Sequence, residues 1–148
     1  MELQKIKDTF EMQGLLEEFS NVFTPPLYIN IENFSLHAEK LIKYSENYIL
    51  RQNDKNIGFI CFYANDFEAK KAFISLICVK EEFQKKGYAS ALLEKCFELC
   101  KDRMNFVELE VFSNNTKAIS FYKKHGFVRI EKESKNPETF FMRKSLEK

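Results

Sequence analysis

The front of the chain carries hydrophobic residues at helical spacing. From Leu15 to Phe23 the apolar positions recur three and four residues apart, and Pro25-Pro26 ends the pattern. We therefore predict one amphipathic helix over residues 1–24. The same spacing predicts a second helix from about residue 35 to residue 44, whose buried face consists of Leu36, Leu41 and Ile42.

The hydrophobic period then shortens to two residues, which is typical of strands. Two such strands, Asn47–Gln52 and Ile57–Tyr63, are joined by the turn-forming residues 53–56. A third apolar run, Ala72–Val79, contains several β-branched residues. This part of the chain is predicted to form an antiparallel meander.

The second half of the chain predicts helices and strands in alternation. A helix begins at Gly87, and Phe106–Phe112 alternates as a strand. A further helix over residues 117–125 is capped by Asn115 or Thr116. The alternation indicates that strands and helices are interleaved in one sheet-containing domain.

The end of this last helix is marked by Gly126, at the position where a left-handed residue is favoured, followed by Phe127 as its hydrophobic contact. Two strands, residues 127–132 and 139–144, close the chain. The predicted order is helix, helix, three strands, helix, strand, helix, two strands. Since the sequence shows neither a repeat nor a linker, we predict a single mixed α/β domain over residues 1–148.

Composition narrows the class of protein. The chain has 148 residues, of which 45% are hydrophobic and 30% charged, and this excludes a disordered chain. A net charge of +1 excludes a strongly basic protein that coats nucleic acid. The cysteines lie in apolar stretches and are interpreted as reduced core residues, and no stretch resembles a signal peptide or membrane span. We therefore expect a soluble cytoplasmic protein.

Charge is unevenly distributed along the chain. Residues 1–50 carry a net charge of −4 and the remainder carries +5. Either the two parts bind ligands of opposite charge, or both patterns are solvated helix faces. The pattern alone does not separate these two interpretations.

The segment Gln84-Lys85-Lys86-Gly87-Tyr88-Ala89-Ser90 follows a strand and begins a helix. A helix N-terminus exposes backbone N–H groups and a partial positive charge, so it is suited to bind pyrophosphate. Gly87 and Ala89 permit close approach, and Lys85 and Lys86 add positive charge. The alternative is an ordinary strand–turn–helix connection. The segment lacks both the Gly-Lys-Ser/Thr ending of a P-loop and the three glycines of a dinucleotide fingerprint.

A second motif makes the sequence pattern more specific than the first motif alone. Residues 115–127 read N-x-x-A-x-x-F-Y-x-x-x-G-F. With Q-x-x-G-x-A at residues 84–89 and the strand ending L-I-C-V, this pattern resembles the GNAT superfamily of N-acetyltransferases over roughly residues 47–144. The chain departs from the family pattern at Gln84, where many members have Arg, and at Ala89, where many have a second glycine.

The resemblance implies a fold and a coenzyme. The expected GNAT fold, α/β of the α+β type, has a mixed central sheet of six to seven strands, splayed between strands four and five and flanked by about four helices. Acetyl-CoA is expected in that gap as co-substrate, and no metal is implied. The residues expected to bind it are Ile77, Cys78, Val79, Gln84, Lys85, Lys86, Gly87, Tyr88, Ala89, Ser90, Asn115, Ala118, Phe121 and Tyr122.

The resemblance also assigns roles within this set. The strand Ile77-Cys78-Val79 pairs with the pantetheine arm, and the Val79 N–H polarises the thioester carbonyl. The amides from Lys85 to Ser90 hold the pyrophosphate. Asn115 is expected to hydrogen-bond the coenzyme arm, against which Ala118 and Phe121 pack.

Tyr122 is the predicted proton donor to the departing thiolate, because a phenol with a pKa of about 10 is protonated at neutral pH. The alternative is a tyrosine that is only packed in the core. The resemblance places Glu110 at the position of a glutamate base in some relatives. The alternatives are that Glu110 is only an exposed strand carboxylate, or that a water chain accepts the proton. Glu108 shares its face of the strand and is a competing candidate.

The predicted function is acetyl transfer from acetyl-CoA to a primary amine by direct attack in a ternary complex. The alternative is a catalytically silent module of the same fold that binds acyl-CoA as a sensor or serves as a protein-interaction domain. The resemblance places the unidentified acceptor, a small molecule or peptide, between residues 15–44 and 132–139. Glu17, Glu18, Glu32 and Glu39 of the first segment, with Glu46 just beyond it, are candidates to attract a cation. We expect neither nucleic acid nor membrane as partner, and a monomer or homodimer.

Overall fold

Seven strands form one sheet in the order β1-β2-β3-β4-β5-β7-β6 in the computed structural model, which describes residues 2–147. The strands are β1 (Glu2–Lys5), β2 (Glu46–Gln52), β3 (Lys55–Asp66), β4 (Lys71–Val79), β5 (Phe106–Phe112), β6 (Val128–Arg129) and β7 (Thr139–Ser145). The helices are α1 (Thr9–Glu18), the short α2 (Leu27–Asn30), α3 (Phe34–Tyr44), α4 (Tyr88–Cys100) and α5 (Thr116–Lys124).

The sheet opens between β4 and β5. These two strands are the only parallel neighbours among the described strands, and all other neighbours are antiparallel. Pairing runs only from Lys71 with Phe106 to Ile74 with Leu109, although β4 continues to Val79. Helix α4 is the crossover that a parallel pair requires. The predicted mixed sheet with a splay between strands four and five is therefore confirmed.

A β-bulge at Ser75 changes the direction of the side chains halfway along β4. Cys61 pairs with Leu76, whereas the next residue of β3, Phe62, pairs with Ile74, so that Ser75 is an extra residue. Before the bulge, Ile74 faces the cluster under α4, whereas beyond it Leu76 and Cys78 face the helices of the opposite side. The bulge thus lies at the first residue of β4 beyond its pairing with β5.

Two apolar layers cover the two faces of the sheet. One face packs against α4 through residues such as Leu92, Leu93 and Cys96, and α5 adds Ala118 and Ile119 at its edge. The other face packs against α1 and α3 through Leu15, Leu16, Ala38 and Leu41. The cysteines Cys61, Cys78, Cys96 and Cys100 are unpaired and buried in these layers.

The predictions for α3, the meander, α4, β5 and α5 are confirmed, with boundaries shifted by a few residues. The single helix over residues 1–24 is wrong. Residues 2–5 form an edge strand paired with β2, and α1 begins only after Asp8, whose carboxylate accepts a hydrogen bond from the Glu11 N–H at 2.7 Å. Four residues are too few to show a strand period, and the apolar positions of α1 dominated the pattern.

Two smaller corrections concern side-chain placement and length. Leu36 was predicted to be buried but is 62% exposed, since α3 buries Ala38 and Leu41 instead. The predicted strand over residues 127–132 shortens to the two residues of β6. Within residues 2–147, no helix combines the length and apolar character needed to cross a bilayer.

Candidate functional site

The loop between β4 and α4 presents backbone N–H groups at the start of a thirteen-residue helix. Lys85 and Gly87 have positive φ values of 65° and 87°, and Gly87 is the N-cap residue, with no side chain capping the helix. Lys85 and Lys86 are exposed beside it. The N-terminus of α4 therefore combines uncapped amides with positive charge, an arrangement that favours an anion.

The side chain of Gln84 braces this loop. Its Nε2 donates to the Val79 carbonyl at 2.9 Å, and its Oε1 accepts from Lys117 Nζ at 3.1 Å. One amide side chain thereby connects the end of β4, the loop before α4 and the first turn of α5. Tyr88 makes a second connection, since its hydroxyl donates to Gln52 Oε1 at 3.0 Å.

The backbone of β4 offers hydrogen bonds toward the gap. The Lys80 N–H donates to the Ile57 carbonyl of β3 at 2.9 Å, and successive amides along a strand point to opposite sides. The N–H groups of Val79 and Ile77 therefore point away from β3, into the gap. Because β5 pairs with β4 only as far as Ile74, these amides meet no strand among the described residues.

Helix α5 places Tyr122 beside the gap. Asn115 caps the helix by accepting from the Ala118 N–H at 3.1 Å, which engages one polar atom of the side chain predicted to bind the coenzyme arm. The Tyr122 ring packs against Phe121 and Phe127, with centroid distances of 5.5 and 5.6 Å. Its hydroxyl makes no hydrogen bond to the described residues, which leaves it available as a donor.

Burial, together with a smaller contribution from the nearby Cys78 thiol, raises the pKa of Tyr122 to about 12. Burial also raises the pKa of the Cys78 thiol, whose side chain lies in the layer under α1 and α3. Both groups are therefore protonated at neutral pH. A protonated phenol at the edge of an open gap can donate a proton but cannot act as a base.

Sequence analysis missed a contact between the two motifs. Ser90 Oγ lies 2.9 Å from His125 Nε2, and His125 Nδ1 lies 2.9 Å from the Phe121 carbonyl. The contact joins the first turn of α4 to the end of α5. Ser90 and His125 are 35 residues apart, and no local pattern indicates that they meet.

The structure separates the two carboxylates that the sequence left as competitors. Glu108 is 1% exposed and binds Arg143 and Lys132. Burial alone would raise the Glu108 pKa, but these hydrogen bonds and the nearby Lys71 outweigh it and lower the pKa. Glu108 is therefore a buried anion committed to its ion pairs.

Glu110, in contrast, is exposed, although it lies on the same face of β5 as Glu108. Its Oε2 accepts hydrogen bonds from Ser134 Oγ at 2.9 Å and Thr139 Oγ1 at 2.5 Å. The carboxylate thus positions the segment between β6 and β7 and is held at the rim of the gap.

Three of the five acidic residues that the sequence offered for attracting a cation are held by other side chains. Glu18 forms an ion pair with Lys80 at 2.5 Å, and Glu46 pairs with Arg103 at 3.0 Å. Glu17 accepts from Gln13 on its own helix. The first two are thus engaged in ion pairs with basic residues, which disfavours a continuous acidic surface facing an amine.

Replacing Gly87 with Ala is expected to lower the free energy of unfolding by about 1–2 kcal/mol, because an alanine pays a steric cost at positive φ. Gly14→Ala is the matched control. A Cβ meets nothing within 4 Å at either position, but Gly14 lies within helix α1. Gly14→Ala should therefore raise the free energy of unfolding by about 0.4–1 kcal/mol. Urea denaturation of both variants measures the free energy of unfolding. If the two substitutions changed it in the same direction, the prediction would be contradicted.

Comparison with known proteins agrees with this geometry. The model of the acetyltransferase (GNAT) family matches residues 12–127. The chain is 43% identical over 53 residues to the L-amino acid N-acetyltransferase AaaT of Escherichia coli, a match covering 34% of the chain and 33% of that protein. The chain thus matches about a third of the length of this relative.

Two solved structures share the fold. The ribosomal-protein-S18-alanine N-acetyltransferase of Escherichia coli superposes with a TM-score of 0.76 at 21% identity, covering 98% of this chain and 93% of that one. A protein of Bacillus anthracis solved in complex with acetyl coenzyme A superposes with a TM-score of 0.62 at 24% identity, covering 72% of this chain and 66% of that one. With its splayed sheet, its two motifs and the match to the family model, the chain belongs to the acetyltransferase (GNAT) family.

Proposed function

We propose that this protein is an acetyl-CoA-dependent N-acetyltransferase that transfers an acetyl group to a primary amine by direct attack in a ternary complex. The observation that carries the proposal is the convergence of three features on one gap. These are the amides of Ile77 and Val79, the uncapped N-terminus of α4, and the Tyr122 hydroxyl. Within residues 2–147 the two amides have no strand partner and the hydroxyl makes no hydrogen bond.

The residues present fit acetyl-CoA. The pyrophosphate is assigned to the loop from Gln84 to Ser90, where uncapped amides and two exposed lysines favour an anion. The pantetheine arm is assigned to the edge of Ile77-Cys78-Val79, whose free amides supply hydrogen bonds. Asn115, Ala118 and Phe121 of the second motif are assigned to the opposite wall of the gap. Acetyl-CoA, when bound, supplies the activated acetyl group.

In the reaction, the amine nitrogen attacks the thioester carbonyl carbon and the carbon–sulfur bond breaks. The Val79 N–H stabilises the negative charge that develops on the carbonyl oxygen. Tyr122 donates its proton to the departing sulfur, a role that its raised pKa supports because the phenol stays protonated. Positioning of the two substrates contributes the largest part of the acceleration, with effective molarities of about 10⁵ M or more.

The proton released by the amine requires an acceptor. Glu110 is the proposed base, because two hydroxyl groups hold its carboxylate at the exposed face beside the gap. A water chain from the amine to solvent is the alternative route. An acceptor with a pKa near that of an α-amino group, about 8, is partly neutral at pH 7 and depends less on a base than a lysine side chain does.

A coenzyme-binding protein without catalysis remains the second candidate, and turnover separates the two. Thiol release from acetyl-CoA is measured across a panel of amino acids, peptides, polyamines and amino sugars. Turnover with any amine supports the enzyme, whereas tight coenzyme binding without turnover supports a sensor. We place the protein in the cytoplasm, since its four unpaired, buried cysteines are typical of a reducing compartment.

Calorimetric titration with acetyl-CoA is expected to show saturable binding of one coenzyme per chain. Replacing both Lys85 and Lys86 with Ala should weaken binding by about tenfold, as expected for the loss of charge-assisted contacts to phosphate. The matched control is the double replacement of Lys40 and Lys43, which lie on α3 across the sheet from α4. Absence of binding at millimolar acetyl-CoA would refute the proposed function.

A further inference from the structure

A cavity of about 230 Å³ lies at the closed end of the gap and contains none of the residues assigned to the coenzyme. It lies between β3, β4, β5 and the segment after β6. Two aromatic and four charged side chains shape it: Tyr63, Phe73, Asp66, Lys71, Glu108 and Lys132. We call it the basic cavity.

The charges around the basic cavity do not balance. The Glu108 carboxylate is faced by Arg143 at 2.5 Å, Lys132 at 3.1 Å and Lys71 at 3.9 Å. Arg143 binds Glu108 Oε2 through both Nε and Nη2, while the two lysines share Oε1. The other carboxylate in the lining, Asp66, accepts from the Ala69 N–H at 3.0 Å. These five groups leave an excess of one positive charge.

The lysines also retain hydrogen-bonding capacity. An ammonium group has three N–H donors, and in this cluster each lysine directs toward a single oxygen of Glu108. The side chains of Lys71 and Lys132 are 33% and 39% exposed, so their remaining donors reach the cavity and solvent. A carboxylate placed between them would gain charge-assisted hydrogen bonds and cancel the excess charge.

The basic cavity is adjacent to Glu110, the proposed base, because Glu108 of its lining precedes Glu110 by two residues on the same strand face. Phe73 and Glu108 are register partners, and the next pair, Ile74 with Leu109, is the last before the gap opens. Glu110 follows Glu108 on the same face, and Lys132 Nζ lies 4.5 Å from the ring centroid of Phe141, the cross-strand partner of Glu110. A small zwitterion can therefore place its amine near Glu110 and its anionic end near Lys132.

We infer that the basic cavity binds the carboxylate of the acceptor, so that the substrate class is small amines that also carry a carboxylate. The inference rests on the proposed function, because it assigns the acceptor of that reaction. Tyr63 and Phe73 supply an apolar wall for the remainder of the molecule, and a cavity of about 230 Å³ suits a free amino acid rather than a protein chain. Lys132 and Lys71 are specificity-determining residues.

The test compares reaction products that differ only in the carboxylate. N-acetyl-alanine, N-acetyl-leucine, N-acetyl-methionine and N-acetyl-phenylalanine are each titrated against the full chain beside the corresponding C-terminal amide. At least one acid should bind about tenfold or more tightly than its amide, as expected for hydrogen bonds to a charged group. Lys132→Met should reduce this preference to within about threefold. Lys135→Met is the matched control, since Lys135 is exposed in the same segment but does not line the cavity.

If no acid is preferred over its amide, or if Lys132→Met retains the preference, the inference is overturned. The acid should bind more tightly than its amide both in the presence and in the absence of coenzyme A, because Lys71 and Lys132 alone cause the preference. Loss of coenzyme binding in the same instrument would refute the proposed function instead. Circular dichroism of Lys132→Met confirms that the variant is folded, and Lys71→Met provides a second, independent removal of charge.

Discussion

Replacing Tyr122 with Phe is expected to lower kcat by about 100-fold or more while leaving the affinity for acetyl-CoA nearly unchanged. The magnitude is that of a general acid removed from the transition state. Phenylalanine keeps the ring packed between Phe121 and Phe127 and removes only the hydroxyl, which makes no hydrogen bond to the described residues. The measurement is steady-state thiol release together with calorimetric titration of acetyl-CoA.

Tyr48→Phe is the matched control for Tyr122→Phe. Tyr48 lies on β2, where its ring stacks on Phe62 at 6.4 Å, away from the gap between β4 and β5. This variant should retain kcat. The pH profile adds a second check, because a Tyr122 pKa of about 12 predicts no loss of activity from Tyr122 deprotonation up to pH 10. A Tyr122→Phe variant with the kcat of the wild type would remove the proposed acid from the mechanism.

Phe59→Ala is expected to lower the free energy of unfolding by about 3–5 kcal/mol, the usual cost of truncating a fully buried phenylalanine. Phe59 is fully buried in β3, an interior strand of the sheet. Its ring meets Phe19 edge-on at 5.2 Å and contacts Phe23 at 6.3 Å, so it connects the sheet to the segment after α1. Urea denaturation followed by circular dichroism measures the change.

The control for this prediction is Phe10→Ala. Phe10 is 89% exposed on α1, and an exposed truncation changes the free energy of unfolding by about 0.5 kcal/mol or less. If Phe59→Ala cost less than about 1 kcal/mol, the packing of the layer under α1 and α3 would be looser than described.

Local patterns predicted most helices and strands, because the formation of each element depends largely on residues that are close together in the sequence. Gly87 and Gly126 were assigned to helix ends from the sequence, and both have positive φ. The edge strand Glu2–Lys5 escaped prediction, because its pairing with β2 involves residues more than 40 positions away. An edge strand of four residues carries too few positions for its period to show.

The candidate site, too, was predicted from local patterns only in part. Spacing within two segments was enough to indicate the family and to single out Gln84, Gly87, Asn115 and Tyr122. It did not indicate that Gln84 would brace Val79 and Lys117, because these contacts cross from one element to another. The spacing of a motif indicates which residue types a local backbone conformation requires. Contacts between side chains on different strands depend instead on the register of strand pairing.

The sequence by itself therefore determined the order of the elements from α3 onward, the N-termini of α4 and α5, and the residue types that line the gap. Only the tertiary structure decided which of the two carboxylates on β5 is exposed beside the gap. Glu108 and Glu110 are two residues apart on one strand face, yet Arg143 lies opposite Glu108 and Phe141 opposite Glu110. That pairing makes one a buried anion and leaves the other at the rim of the gap. The register of β5 with β7 and the bulge at Ser75 are properties of packed strands, and no single segment encodes them.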